Sequence, residues 1–102
     1  DRKTFSYISR SSDHFSYNNI SFIYRQLSVD ASSSLGFILP RFLGCAVKRN
    51  KFKRRCRSAF KVATNNYSKH NIGLVVKPKK ITQPYSDIYS AFDFLCKSFR
   101  EV

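Results

Sequence analysis

The sequence predicts an α+β domain, a small mixed β-sheet with helices packed against it. Two long segments repeat their apolar residues at helical spacing, and three short segments are rich in β-branched and aromatic residues. Along the chain these segments give the order helix, strand, strand, helix, strand, helix, which fits an α+β domain. A chain of 102 residues suffices for one domain. We therefore interpret residues 1–102 as a single domain.

The N-terminal part of the chain predicts a short helix, a loop and a strand. Residues 2–9 can form a helix with Phe5 on its apolar side. Residues 10–19 are rich in Ser, Asp and Asn, which is typical of a loop. Residues 20–29 alternate between two faces and contain many β-branched and aromatic side chains, so they predict the first strand.

A second strand is predicted at residues 35–39. The polar connection at residues 30–34 is short enough for a hairpin with the first strand. Pro40 lacks an amide donor and should lie at the end of the strand or on an edge. Residues 39–43 could add a third hairpin strand.

The central segment predicts a long helix that begins after Gly44 and runs to about Asn65. At about 100° per residue, its apolar and basic residues separate into two arcs. The apolar arc, which needs a core, contains Phe52, Cys56, Ala59, Phe60 and Ala63. The basic arc contains Asn50, Lys53, Arg54, Arg57 and Lys61. The helix therefore has one face for packing and one for anions.

The C-terminal part predicts a buried strand and a final helix. Residues 71–77 are short and strongly apolar, which indicates a largely buried strand. After Pro84, apolar residues recur at helical spacing as far as Arg100, so we expect an amphipathic helix packed on the sheet.

The charge distribution points to a polyanionic partner. The net charge of +13 arises from 19 Lys and Arg against six Asp and Glu, and residues 31–86 hold thirteen of the basic residues and no acid. Such a charge opposes compaction, and an anionic partner explains its presence. Ten Phe and six Tyr indicate a packed interior rather than a disordered basic tail.

Residues suited to catalysis or metal binding are sparse. His14 and His70 both lie in predicted loops, and the chain has no Gly-rich phosphate loop. Cys45, Cys56 and Cys96 fit neither a disulfide framework nor a zinc site. We predict no catalytic and no metal-ligating residue. Reduced thiols, with neither a signal-peptide pattern nor a membrane-length apolar run, predict a cytoplasmic protein.

The basic arc favours nucleic-acid binding over a merely solvated face. Arg can bind phosphate through two hydrogen bonds, and no acids at i, i+4 positions neutralise the helix. A basic amphipathic helix can also bind a membrane surface or a calmodulin-like groove, but the apolar arc is needed inside so small a domain. Phe22 and Tyr24 on the first strand could stack unpaired bases or pack in the core, and composition leaves both roles open.

The segment from Gly36 to Phe60 closely resembles the signature of the bacterial ribonuclease P protein component. It contains Gly-Cys-Ala-Val at residues 44–47, followed by Arg-Asn-x-x-Lys-Arg-x-x-Arg-x-x-Phe from Arg49 to Phe60. The resemblance implies a fold like the second domain of ribosomal protein S5, with the signature helix in a left-handed βαβ crossover, a connection that most proteins avoid.

The resemblance also implies a function. Proteins of this family join a catalytic RNA that uses Mg²⁺ to cut the 5′ leader from precursor tRNA. The chain would then be the protein subunit of an endoribonuclease ribonucleoprotein, one protein per RNA. It would not be catalytic alone, and Mg²⁺ would be bound mainly through the RNA and the substrate.

Carried over by position, the signature's RNA-contacting residues are Arg49, Asn50, Lys53, Arg54 and Arg57, to which the basic arc adds Lys61. The leader of precursor tRNA would contact Phe5, Phe22 and Tyr24. The chain departs from the family pattern at Ser9, Ile38, Pro40 and Phe42. The alternative function is a ribosomal or RNA-assembly protein with no processing role, and a basic membrane-surface module is the third hypothesis.

Overall fold

The computed structural model describes residues 7–10, 13–26, 34–67 and 72–100. Residues 7–9 are helical. The longer elements are, in chain order, β1 (His14–Tyr17), β2 (Ile20–Gln26), β3 (Ser34–Phe37), α1 (Ala46–Tyr67), β4 (Ile72–Pro78) and α2 (Tyr85–Arg100), with a 3₁₀ turn at Arg41–Leu43.

The strands form one mixed sheet in the order β1-β2-β4-β3. β2 pairs antiparallel with β1 and with β4, whereas β3 pairs parallel with β4. This arrangement confirms the predicted α+β class and mixed sheet. Because β3 and β4 are parallel neighbours joined through α1, they form a βαβ crossover. Its left-handed sense stays a prediction.

The predicted loop at residues 10–19 is wrong, because His14–Tyr17 form β1. Asn18 and Asn19 have φ angles of 51° and 64°, the positive values that a tight two-residue hairpin turn requires. Asn tolerates this conformation better than most residues do. The two Asn therefore join β1 to β2, and Phe15 and Tyr17 turn their side chains toward the core.

The hairpin predicted between residues 20–29 and 35–39, which correspond to β2 and β3, is also wrong. β4 lies between β2 and β3, so these two strands do not pair. The third hairpin strand expected at residues 39–43 does not form either. Ile38 donates a last backbone hydrogen bond of 2.9 Å to Val76, and Pro40, which has no amide donor, precedes the 3₁₀ turn.

The core lies between one face of the sheet and the two helices. Phe22 packs edge-on against Phe92 of α2, with ring centroids 5.1 Å apart, and Phe60 of α1 lies 6.0 Å from the same ring. The apolar arc of α1 is in place, since Phe52, Cys56, Ala59 and Ala63 are all buried. α2 buries Ile88, Ala91, Phe92, Leu95 and Cys96. Both helices thus take the amphipathic form that the sequence predicts.

Candidate nucleic-acid interface

All six residues predicted to bind RNA lie on α1, and none of them is buried. The exposed ones are Asn50, Arg54, Arg57 and Lys61, and the half-buried ones are Arg49 and Lys53. Their spacing of three and four places them along one side of the helix, beside the buried stripe. We call these six residues the basic arc.

Two members of the basic arc lie partly against the protein. The guanidinium carbon of Arg57 lies 5.7 Å from the ring centroid of Phe37 in β3, a cation–π distance. The Nε of Arg49 is buried and lacks a hydrogen-bond partner within the described residues. Arg54 and Lys61 project into solvent, where they can reach phosphate groups.

Electrostatics favour anions along the whole length of α1. The helix has no acid in its first turn, and residues 31–86 contain no Asp or Glu at all. Its cations therefore have no carboxylate within the helix to neutralise them. A phosphate backbone can supply that neutralisation through charge-assisted hydrogen bonds.

Two apolar side chains that were not among the predicted site residues are exposed where α1 begins. Phe42 in the 3₁₀ turn is 85% exposed, and Val47 in the first turn of α1 is 76% exposed. Exposed aromatic groups beside cations can contact unpaired bases. Phe42 therefore extends the candidate surface beyond the basic arc.

The structure corrects the assignment of Phe22 to the leader. Phe22 is fully buried, because it lies on the face of β2 that the helices cover. Tyr24, on the same face, is half-buried and packs against the core. Phe5 lies outside the described residues. Of these three residues, Tyr24 is the one with a partly exposed side chain among the described residues.

The opposite face of the sheet carries polar and apolar residues suited to a single-stranded chain. The guanidinium carbon of Arg25 lies 4.2 Å from the ring centroid of Tyr7, which is half exposed. Ile23 is half-buried between Arg25 and Ser21 along this face. Lys77 of β4 is exposed and opposite Ser21 in register. The alternating residues of β2 predict a strand with two different faces, but only the structure shows which face α1 and α2 cover.

Among the described residues, the three cysteines do not form a reactive site. Burial raises the pKa of Cys56 to about 12 and that of Cys96 to about 11, so both thiols stay protonated in the core. Cys45 is exposed, and the backbone N–H of Lys48 lowers the pKa of its thiol.

No group of three or more His, Cys, Asp or Glu comes together in the described part of the chain. His14 is exposed on β1, and His70 lies outside the described ranges.

Fold and surface together define a small, strongly basic α+β protein with a cationic helix suited to a polyanion. The ribonuclease P family model matches residues 1–100. The chain belongs to the ribonuclease P protein family.

The curated relatives support this membership. The chain is 34% identical over 92 residues to the ribonuclease P protein components of Chlamydia felis and Chlamydia caviae. The match covers 89% of this chain and 65% of each relative. The chain thus spans just under two thirds of the length of these relatives.

Solved structures share the fold. The RNase P protein from Thermotoga maritima superposes with a TM-score of 0.76 at 22% identity, covering 95% of this chain and 92% of that one. The Staphylococcus aureus RNase P protein gives a TM-score of 0.72 at 20% identity, covering 98% and 92%. At this level of identity the likeness establishes the fold, an α+β domain with a mixed sheet.

Proposed function

We propose that this chain is the protein subunit of a ribonuclease P ribonucleoprotein that assists its RNA subunit in removing the 5′ leader from precursor tRNA. The observation that carries the proposal is the basic arc of α1, with no buried member, in a chain of this family. The chain alone would not be catalytic.

The basic arc would bind the catalytic RNA. Arg54 is exposed, so its planar guanidinium can form two hydrogen bonds with one phosphate. Asn50 is also exposed and can both donate and accept hydrogen bonds, which suits base edges as well as the sugar-phosphate backbone. Contacts of this kind fix the position of a protein on folded RNA, one protein per RNA in this proposal.

The leader would lie on the sheet face opposite α1 and α2, against Tyr7, Ile23 and Arg25. The contact between Arg25 and Tyr7 offers a cation over an aromatic ring, a combination that stacks bases and attracts phosphate. Phe5, in the segment before Tyr7, would extend this surface. Tyr24 would contribute only through its exposed part, and Phe22 would support the sheet from behind.

The RNA subunit would catalyse the cleavage. Mg²⁺ supplies charge stabilisation and an activated water in such reactions, and phosphate oxygens of RNA and substrate would hold it. The described side chains offer no cluster of acids or histidines for a metal ion, so we assign none of them to Mg²⁺. The protein would position the RNA and the substrate.

The complex would work in the cytoplasm. None of the helices within the described ranges is long and apolar enough to cross a membrane.

Reconstitution with the cognate catalytic RNA tests the proposal. Adding the purified chain at low Mg²⁺ should increase the rate of leader removal and make precursor tRNA bind more tightly than mature tRNA. An unchanged rate would refute the proposal. Binding without preference for precursor would instead support a ribosomal or RNA-assembly protein, and vesicle binding that RNA does not compete away would support a membrane-surface module.

Removing a single cation from the basic arc should weaken binding to the catalytic RNA. Arg54→Ala or Arg57→Ala should lower the magnitude of the slope of log affinity against log salt by roughly one for each lost phosphate contact. Lys97→Ala, which removes an exposed cation from α2, is the matched control and should leave the slope unchanged. Equal slopes for all three variants would mean that neither arginine contacts phosphate.

A further inference from the structure

A second cationic group lies on α1 outside the basic arc. Lys48, Lys51 and Arg55 line an open pocket of about 210 Å³ together with Phe52, Ile81 and Thr82. The three cations are spaced by three and four residues, so they share one side of the helix. At about 100° per residue, their mean direction lies roughly 150° around the helix axis from that of the basic arc. We call this site the flank pocket.

The flank pocket is built by the loop between β4 and α2. Nη1 of Arg55 donates a hydrogen bond of 3.3 Å to the carbonyl oxygen of Gln83, which ties the loop to the helix. One turn further on, the hydroxyls of Ser58 and Tyr85 lie 3.3 Å apart. These contacts hold the loop and the start of α2 beside α1, next to the pocket.

Gly44 lies close to two residues that line the flank pocket. A Cβ atom at this position would lie 3.0 Å from Cδ1 of Ile81 and 3.5 Å from Cβ of Lys48. With glycine there, the segment before α1 packs closely beside both lining residues.

The chemistry of the flank pocket suits a phosphodiester. Lys48 and Lys51 are exposed point charges, and the hydroxyl of the exposed Thr82 can donate to a phosphate oxygen. The buried Phe52 and Ile81 supply an apolar floor. Lys79 and Lys80 are exposed in the same loop, so cations continue beyond the pocket as they would along a polymer. A backbone with several phosphates fits this arrangement better than a single small anion.

We propose that the flank pocket binds the phosphate backbone of a second RNA segment, separate from the segment on the basic arc. This inference rests on the proposed function, because the RNA would come from the ribonuclease P complex. The catalytic RNA and the precursor tRNA present the same phosphodiester chemistry. α1 would then lie between two RNA segments and fix their relative position.

The salt dependence of RNA binding by the reconstituted complex tests the contact. Lys51→Gln should weaken binding by about threefold or more and lower the magnitude of the salt slope by roughly one. Lys97→Gln removes an equally exposed charge from α2 and should change neither quantity. If the two variants behave identically while the wild-type complex still removes the leader, the proposed RNA contact at the flank pocket is wrong and the proposed function is unaffected.

Crosslinking tests whether the two RNA segments are separate. A photoreactive group is attached to Thr82→Cys in the flank pocket or to Ala46→Cys on the side of the basic arc, both in a Cys45→Ser background. Cys56 and Cys96 are buried, so the engineered thiol is the preferred target. Thr82→Cys should crosslink a different segment from Ala46→Cys, and labelling each RNA in turn identifies its source. The same segment from both positions, or none from Thr82→Cys alone, would overturn the proposal.

Discussion

Phe22 and Ile23 are neighbours in β2 whose side chains lie on opposite faces of the sheet. Phe22 is fully buried against Phe92, whereas Ile23 is half-buried on the face that carries Arg25. Their roles should therefore separate under mutation. Phe22 should mainly affect stability, and Ile23, on the opposite face, should mainly affect leader recognition.

Phe22→Leu should lower the free energy of unfolding by about 1 kcal/mol while leaving the preference for precursor tRNA unchanged, because a similar apolar volume remains in the core. Ile23→Ser is the corresponding variant on the opposite face, and it should reduce that preference in a protein that still folds. Urea unfolding and affinity against leader length measure the two effects. Loss of leader preference by a folded Phe22→Leu protein would contradict the assignment of the faces.

The cations of α1 could be predicted residue by residue, but the leader residues could not. A helical residue is exposed when it lies outside the buried stripe. Helical spacing alone shows that Arg54 and Arg57 lie outside it. For a strand, alternation separates Phe22 from Ile23 without saying which face the helices will cover. That choice depends on contacts with α2, which lies some 70 residues further along the chain.

At the level of elements, the β1–β2 hairpin depends on two Asn residues and on its contact with α2. The carbonyl of Asn19 accepts a 2.8 Å hydrogen bond from the backbone of Lys79. Asn18 donates through Nδ2 to the carbonyl of Asp87 and accepts from Nε2 of Gln83. The turn is therefore hydrogen-bonded to the loop between β4 and α2, which also contributes to the flank pocket.

Asn19→Val should destabilise the protein by about 1–2 kcal/mol, because a β-branched residue is strained at the positive φ of this turn. Asn19→Gly should be neutral or slightly stabilising, since glycine adopts this conformation without steric cost. Thermal unfolding of both variants measures the difference. Equal destabilisation by Val and Gly would show that the Asn side chain, rather than backbone strain, decides the stability of the turn.

Sequence patterns predicted the helices well and the strand pairing poorly. α1 and α2 carry long apolar stripes, whereas β1 has only four residues, and its Asn-Asn turn resembles the polar loop around it. β3 follows β2 closely in sequence, which favoured a hairpin, yet β4 is more apolar and takes the central position between them. Long-range burial therefore outweighed proximity along the chain.

At the scale of the whole molecule, positive charge is concentrated in the middle of the chain. Residues 31–86 contribute thirteen cations and no acid, and they include β3, α1 and β4. These cations repel one another in the folded state, and repulsion of this kind destabilises compact proteins. Any anion that accumulates near them should stabilise the fold, whether it is a salt ion or an RNA phosphate.

Unfolding in NaCl tests this balance. The melting temperature should rise between about 0.05 and 0.5 M NaCl, because the Debye length falls from more than 10 Å to a few ångströms. Each kcal/mol gained should raise it by roughly 4–8 °C for a domain of this size. The double variant Lys51→Gln/Lys61→Gln should melt at a higher temperature in low salt and gain less from added NaCl. A melting temperature that falls with salt would instead mean that attractive ion pairs dominate. In that case RNA binding would not relieve charge repulsion in the fold.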